Sequence, residues 1–164
     1  MKKFLPKTVN NPQGFTLIEL MVVIAIIAIL STIGLTLFTN TQQKARDTRR
    51  RSDIDAIANA LETNKTPGSS TYNVLAGTQF NAGTIPADSG NGSAVYCVSS
   101  TTTAGTPPAV ATAWVNTSAC PTTPSGYTLV SATNPAGTAG SWTLCTLLET
   151  GANPANIYCK QNAQ

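Results

Sequence analysis

Histidine is absent from this chain. Its absence removes the Ser-His and Cys-His pairs that drive most nucleophilic catalysis. Charge is scarce as well: Asp, Glu, Lys and Arg make up 10% of the residues, and residues 66–164 carry only Asp88, Glu149 and Lys160. Local spacing therefore brings no carboxylate pair together in that half. Asp88 to Gly92 offers one acid where calcium loops gather several oxygen ligands, so it reads as a turn. The four cysteines, Cys97, Cys120, Cys145 and Cys159, contain no CxxC spacing, which excludes a zinc ribbon or a thioredoxin-like site. From these absences we expect no enzyme, no cofactor and no bound metal.

A strongly basic domain is missing too. The formal net charge is +3, but Lys2, Lys3 and Lys7 supply all of the excess, and the chain after Gly14 carries seven residues of each sign. The electrostatic case for DNA binding is thereby reduced to one local run, Lys44, Arg46, Arg49, Arg50 and Arg51. Aromatics are absent from that run. On a helix, Asp47 with Arg51, Arg49 with Asp53, and Arg51 with Asp55 stand four apart, which predicts a solvated, internally paired face. Contacts with neighbouring subunits are the next reading of the run, and DNA the last.

The chain does have one long apolar run. Phe15 to Phe38, FTLIELMVVIAIIAILSTIGLTLF, would be ~36 Å long as a helix, against a bilayer hydrocarbon core of ~30 Å. An ordinary secretory signal places its cleavage site after such a run and discards it. Here the basic start MKKFLPK leads into the polar TVNNPQG, and only then does the apolar run begin, at Gly14-Phe15. Cleavage at that junction leaves the apolar helix on the protein.

Gly14 followed by FTLIE resembles the processing signal of type IV pilins and pseudopilins. The resemblance covers residues 1–65 well and the remainder in general layout. It implies that a prepilin peptidase on the cytoplasmic face cleaves after Gly14 and that the new amine of Phe15 is methylated. It also implies that Glu19 of one subunit pairs with the Phe15 amine of the next. Pilins often carry a Pro partway along this helix, where this chain has Gly34 and Thr36 instead. From the residues alone, Glu19 is a carboxylate within an apolar span, which costs ~2.5–3.5 kcal/mol on insertion scales and asks for a reason. A position in the first turn, where the helix dipole favours a negative charge, is one reason. A paired contact in an assembled filament is the other, and no other cation lies within the span.

Beyond the span, Pro and Gly are missing from Thr39 to Thr66, so one helix can run from about 15 to 65, ~75 Å in all. Ile54, Ile57, Ala58 and Leu61 recur at i, i+3, i+4 and i+7, a stripe suited to packing on a sheet. After Pro67-Gly68, short runs at 94–98, 109–115, 127–132, 141–149 and 156–160 read as strands. Segments 99–108 and 116–126, rich in Thr, Ser, Pro and Gly, read as exposed loops. The expected fold is α+β, a long helix on a small antiparallel sheet, which is also a pilin's layout.

The even cysteine count in a polar, strand-rich half predicts two disulfides and folding outside the cytosol. Strands 141–149 and 156–160 flank a turn-forming run centred at Ala152, so residues whose numbers sum to 304 would face one another. That pairs Cys145 with Cys159 and leaves Cys97 with Cys120. A bridge from Cys159 to Cys97 or Cys120 is the alternative. The positive-inside rule, read on five bases beyond the span against three before it, points the other way. The cysteines and the processing signal both require residues 39–164 outside.

These readings give a leader at 1–14, a helix at 15–65 with its membrane and assembly segment at 15–38, and a disulfide-bonded headgroup at 66–164. The expected role is a type IV pilus subunit for adhesion, motility or DNA uptake, first a single-pass protein of the cytoplasmic membrane with its amino terminus inside, then part of an extracellular filament. Its expected partners are its own copies or other pilins, the prepilin peptidase, the inner-membrane assembly platform and, before assembly, the membrane. A pseudopilin of a type II secretion or competence system is the alternative, followed by a tethered binding module that never polymerises.

Overall fold

The computed structural model describes residues 14–88, 96–112, 114, 119–122, 124–134, 137–151 and 156–162. It holds one long helix, α1 (Leu17–Thr63), a single 3-10 turn (Gly77–Gln79), and four strands, β1 (Tyr96–Thr101), β2 (Thr128–Leu129), β3 (Ser141–Leu147) and β4 (Ile157–Gln161). The architecture is α+β, as the sequence predicts. Two compact units meet the eye in the chain, one ending at Asn40 and one beginning at Thr41.

The second unit is built on an antiparallel sheet with strand order β2-β1-β3-β4. Strand alternation sends Tyr96 and Val98 of β1 and Trp142 and Leu144 of β3 to one face, where they form a core with Ile54, Ile57, Ala58 and Leu61 of α1. The helical stripe is thus the buried stripe: Ile54 and Ile57 are fully buried and Leu61 is 1% exposed. Tyr72 joins this core edge-on to Trp142, held by an isolated bridge to Ala139. α1 stops where its sequence turns against helix. Asn64 caps the last turn by donating its side-chain amide to the Ala60 carbonyl at 2.8 Å, and Pro67 and Gly68, the latter at φ 77°, cannot continue it.

On the sheet's other face, Cys97, Cys145 and Leu147 pack with Ala111, Trp114 and Tyr127. β3 is consequently buried on both faces along its whole length. This arrangement corrects the strand expected at 109–115, whose described residues 109–112 and 114 form no strand but cover the sheet. The physical reason lies in their backbone partners. Thr143 and Gln161 donate side-chain hydrogen bonds to the Pro108 carbonyl, and the Tyr127 hydroxyl donates to the Ala109 carbonyl. Carbonyls satisfied by side chains need no ladder.

Other boundaries shift as well. β1 runs on through Ser99 to Thr101, into a stretch expected to be loop, because those residues pair with Ser141 to Thr143 of β3. Residues 94 and 95 of the expected strand lie outside the described residues. The run at 127–132 shortens to the two residues of β2.

Candidate processing and assembly site

Gly14 and Phe15 precede α1 and are open to solvent, with Phe15 91% exposed. Among the described residues, no atom beyond its chain neighbours lies within 4 Å of where a Gly14 Cβ would stand. The first turn of α1 is fastened by a reciprocal cap. Glu19 Oε2 accepts from the Thr16 backbone N–H at 2.9 Å and from the Thr16 hydroxyl at 2.7 Å, while the Glu19 N–H donates to Thr16 Oγ1 at 3.3 Å. Glu19 thus sits in the first turn, bonded to the residue that follows Phe15. The signal for this cap, Thr-x-x-Glu ahead of an apolar run, stands in the sequence at Thr16 and Glu19, although Thr16 was not among the expected site residues.

From Phe15 to Phe38 every large hydrophobic side chain is more than half exposed; the least exposed, Val23 and Ile26, stand at 52%. So much bare apolar surface is unstable in water, at roughly 25 cal/mol per Å². It needs lipid or other helices around it, and by length and composition α1 can cross a membrane. The helix continues unbroken through Gly34.

Residues 9–35 match the prokaryotic N-terminal methylation motif. The chain carries the cleavage motif of type IV pilins and pseudopilins. The motif supports a pilin-like or pseudopilin protein, implies processing by prepilin peptidase and pilin-type assembly, and fits membrane anchoring before assembly. No curated protein and no solved structure matches the chain.

The basic run following the apolar segment is organised differently from the expected solvated face. Arg50 is only 2% exposed, with carboxylate oxygens of Glu149, Asp88 and Asp47 at 2.9, 3.2 and 3.3 Å. Arg46 makes a two-pronged pair with Glu149, at 2.7 and 2.5 Å. Asp47, expected opposite Arg51, instead accepts the backbone N–H groups of Glu149 and Thr150 and the Thr150 hydroxyl. Burial pushes the Asp47 carboxyl up, but the Thr150 hydroxyl and the two N–H groups outweigh it and hold the group below its usual range. Glu149 is held low by its bond to Arg46, against burial and with help from Arg50.

Asp53 and Asp55 also turn away from the helix's own bases. Asp53 accepts from the Tyr96 hydroxyl at 2.7 Å, and Asp55 pairs with Lys160 at 2.9 Å. Arg51 lies over the Tyr158 ring, 5.1 Å from its centroid. Two of the five bases are therefore sequestered with acids and a third is stacked, which leaves little of the run as a DNA-binding face.

Cys145 is bonded to Cys159, and Cys97 to Cys120. The β3–β4 register sums to 304 along its length, from Thr143↔Gln161 to Leu147↔Ile157. Asn162 N–H donates to Trp142 O and Leu148 N–H to Asn156 O, so the even-numbered pairs carry the ladder bonds. Cys145 and Cys159 therefore form a non-hydrogen-bonded pair, the closer kind, with Cα atoms 4.1 Å apart. Asp88 of the expected turn is engaged with Arg50, while residues 89–92 lie outside the described residues. Among the described residues no cluster of three or more acids and thiols could hold a metal ion.

Proposed function

We propose that this chain is a structural subunit of a type IV pilus, polymerising through its apolar amino-terminal helix. Cleavage between Gly14 and Phe15 removes residues 1–14, methylation follows on the Phe15 amine, residues 15–38 serve as membrane anchor and then as filament core, α1 carries that segment on to the sheet, and residues 66–164 form the headgroup. The observation that carries this reading is a methylation motif lying over the first part of α1, where the large apolar side chains from Phe15 to Phe38 are bare on every side. In the membrane those side chains meet lipid, and in a filament they meet the same segment of other copies. Glu19 then pairs with the Phe15 amine of a neighbouring copy. The two disulfides favour an exposed surface filament over a short envelope-bound one, because covalent staples serve a domain held outside the cell.

Mass spectrometry of filaments sheared from the producing cells tests the proposal. The expected amino-terminal peptide begins at Phe15 with one methyl group on its amine. An intact Met1 in filament protein would sink the reading, and processed chain confined to the envelope would make it a pseudopilin.

A further inference from the structure

Between the outer end of α1 and the Gly77–Gln79 turn lies a groove of about 260 Å³. We infer that it binds a single neutral sugar unit, one presenting hydroxyl or acetamido groups.

The groove's chemistry makes this selection. Its polar lining is four amides and one hydroxyl, from Asn59, Asn64, Gln79, Asn81 and Thr63, with no charged residue among them. Most of that hydrogen-bonding capacity is unspent. Asn59, Thr63 and Asn81 make no side-chain hydrogen bond among the described residues. Asn64 spends its amide N–H on the Ala60 carbonyl and keeps its carbonyl oxygen, while Gln79 spends its carbonyl oxygen on the Ala76 N–H at 3.1 Å and keeps its amide N–H. The charges adjoining in sequence are committed elsewhere. Glu62 accepts from the Tyr72 hydroxyl at 3.0 Å, and Lys65 sits 4.7 Å from the centre of the Tyr72 ring.

An anionic ligand would find no cation there, a cationic one no carboxylate, and a wholly apolar one would strand the amides. A sugar ring supplies both what the amides lack and an apolar C–H face, which Ala56, Ala60 and Phe80 can meet. The volume lies below the ~300–1,000 Å³ of pockets that enclose drug-sized ligands, so one ring is the fitting size.

The wall is preformed. Phe80 packs against the buried core, its N–H donates to Gly77 O at 3.0 Å, and Gly83 N–H donates to Phe80 O at 2.8 Å. Gly77 is pressed so closely on the neighbouring turn that a Cβ there would stand 2.4 Å from the Gly83 carbonyl oxygen. Little order has to be gained on binding, which lowers the cost of a small ligand.

The full-length chain, solubilised in detergent and labelled with nitrogen-15 in its side-chain amides, is titrated with methyl galactoside, N-acetylglucosamine and, as an anionic comparison, glucuronate. Saturable shifts with one or both neutral sugars, at affinities of millimolar order, are expected. Asn59→Ala with Asn81→Ala, both on exposed positions, should weaken that binding at least tenfold while strand and helix content stay unchanged. Gly77→Ala, which displaces the wall, should do the same. No saturable shift with either neutral sugar, unchanged affinity in the double variant, or equal binding of glucuronate would each overturn the inference. Loss of filaments with undiminished sugar binding in the double variant would overturn it too, by giving the groove to a neighbouring subunit. Because the titration uses unassembled chain, its outcome does not depend on the pilus reading.

Discussion

Asp47 and Thr150 stand 103 positions apart in sequence, yet the Asp47 carboxylate accepts both the backbone N–H of Thr150, at 2.9 Å, and its hydroxyl, at 2.5 Å. With the Glu149 N–H at 2.7 Å on its other oxygen and Arg50 beside it, one helical side chain anchors the segment that leaves β3. Removing it strands three donors and leaves Arg50 with two of its three carboxylates. Asp47→Ala should therefore cost about 3 kcal/mol, the range for breaking a buried pair rather than a surface one. Asp47→Asn, which keeps an acceptor but loses the charge, should cost less. Thermal unfolding of the solubilised chain, followed by tryptophan fluorescence from the buried Trp114 and Trp142, checks the order. An Asp47→Ala variant as stable as the parent would show that the segment holds itself.

The same groups set the acid side of stability. Asp47 and Glu149 are held below their ordinary 3.8 and 4.5 in the folded chain, so an unfolded chain binds protons more readily. Their contribution is complete above those ordinary values and is lost as pH falls through the lower folded ones. The alkaline side belongs to the tyrosines. Burial, aided by Glu62, pushes Tyr72 up to about 12, and burial alone pushes Tyr127 up to about 12, while burial and Asp53 raise Tyr96 as well. A raised folded value gives stability that is whole below 10 and lost as pH climbs beyond it. Unfolding midpoints should form a plateau between about pH 5 and 9, falling on both sides. With no histidine in the chain, a step near pH 6.5 would contradict this account.

How far the sequence foretells this structure depends on how local each signal is. The bare apolar run, the Ile54, Ile57, Ala58, Leu61 stripe and the Ala152-centred register are set by spacings of a few residues, and the structure has all three. Burial of Arg50 is set by Asp88 and Glu149, far along the chain, which spacing within its helix does not show; helix spacing paired Asp47 with Arg51, where the structure sets Asp47 beside Arg50. The covering run alternates like a strand, but its first carbonyl, that of Ala109, is taken by Tyr127, and the Pro108 carbonyl just before it by Thr143 and Gln161, all from other parts of the fold. The Thr16 cap is as local as the apolar run and the stripe, since Thr-x-x-Glu ahead of an apolar run is itself a sequence signal for a helix start.

The two disulfides should contribute unequally and on different grounds. Cys145–Cys159 closes a loop of 14 residues and Cys97–Cys120 one of 23. By loop entropy alone these are worth ~3 and ~3.4 kcal/mol. Replacing Cys97 and Cys120 by Ser should thus destabilise slightly more than replacing Cys145 and Cys159, measured by denaturant midpoints on otherwise identical chains. A reversed order would place the larger effect in sheet packing, since Cys145 is fully buried on β3.

Ile57 lies at the centre of the helical stripe and is fully buried against the sheet. Ile57→Ala should cost about 2–5 kcal/mol through lost contact and the cavity left behind. Ala56, one position away and exposed, makes the matched comparison: Ala56→Ser should change stability by no more than about 0.5 kcal/mol. Equal effects at the two positions would mean that the stripe does not carry the helix on the sheet.

Glu19 has two claims on its carboxylate, and substitutions at Thr16 separate them. Within one chain Glu19 caps the first turn through Thr16. In the proposed filament it also neutralises the Phe15 amine of a neighbour, an interaction whose loss leaves a cation unpaired in an apolar core. Thr16→Val removes the hydroxyl half of the cap and spares the carboxylate; Glu19→Val removes the carboxylate half of the cap together with the charge; Glu19→Gln keeps an acceptor for the cap and discards the charge. If assembly needs the charge, Thr16→Val cells should bear filaments in near-normal number, while both Glu19 variants should hold processed chain in the membrane with filaments scarce. Counting filaments by electron microscopy beside an immunoblot of the membrane fraction reads both quantities. Should Thr16→Val lose filaments as fully as Glu19→Val while Glu19→Gln keeps them, the cap is the whole role of Glu19, and its pairing with the Phe15 amine falls.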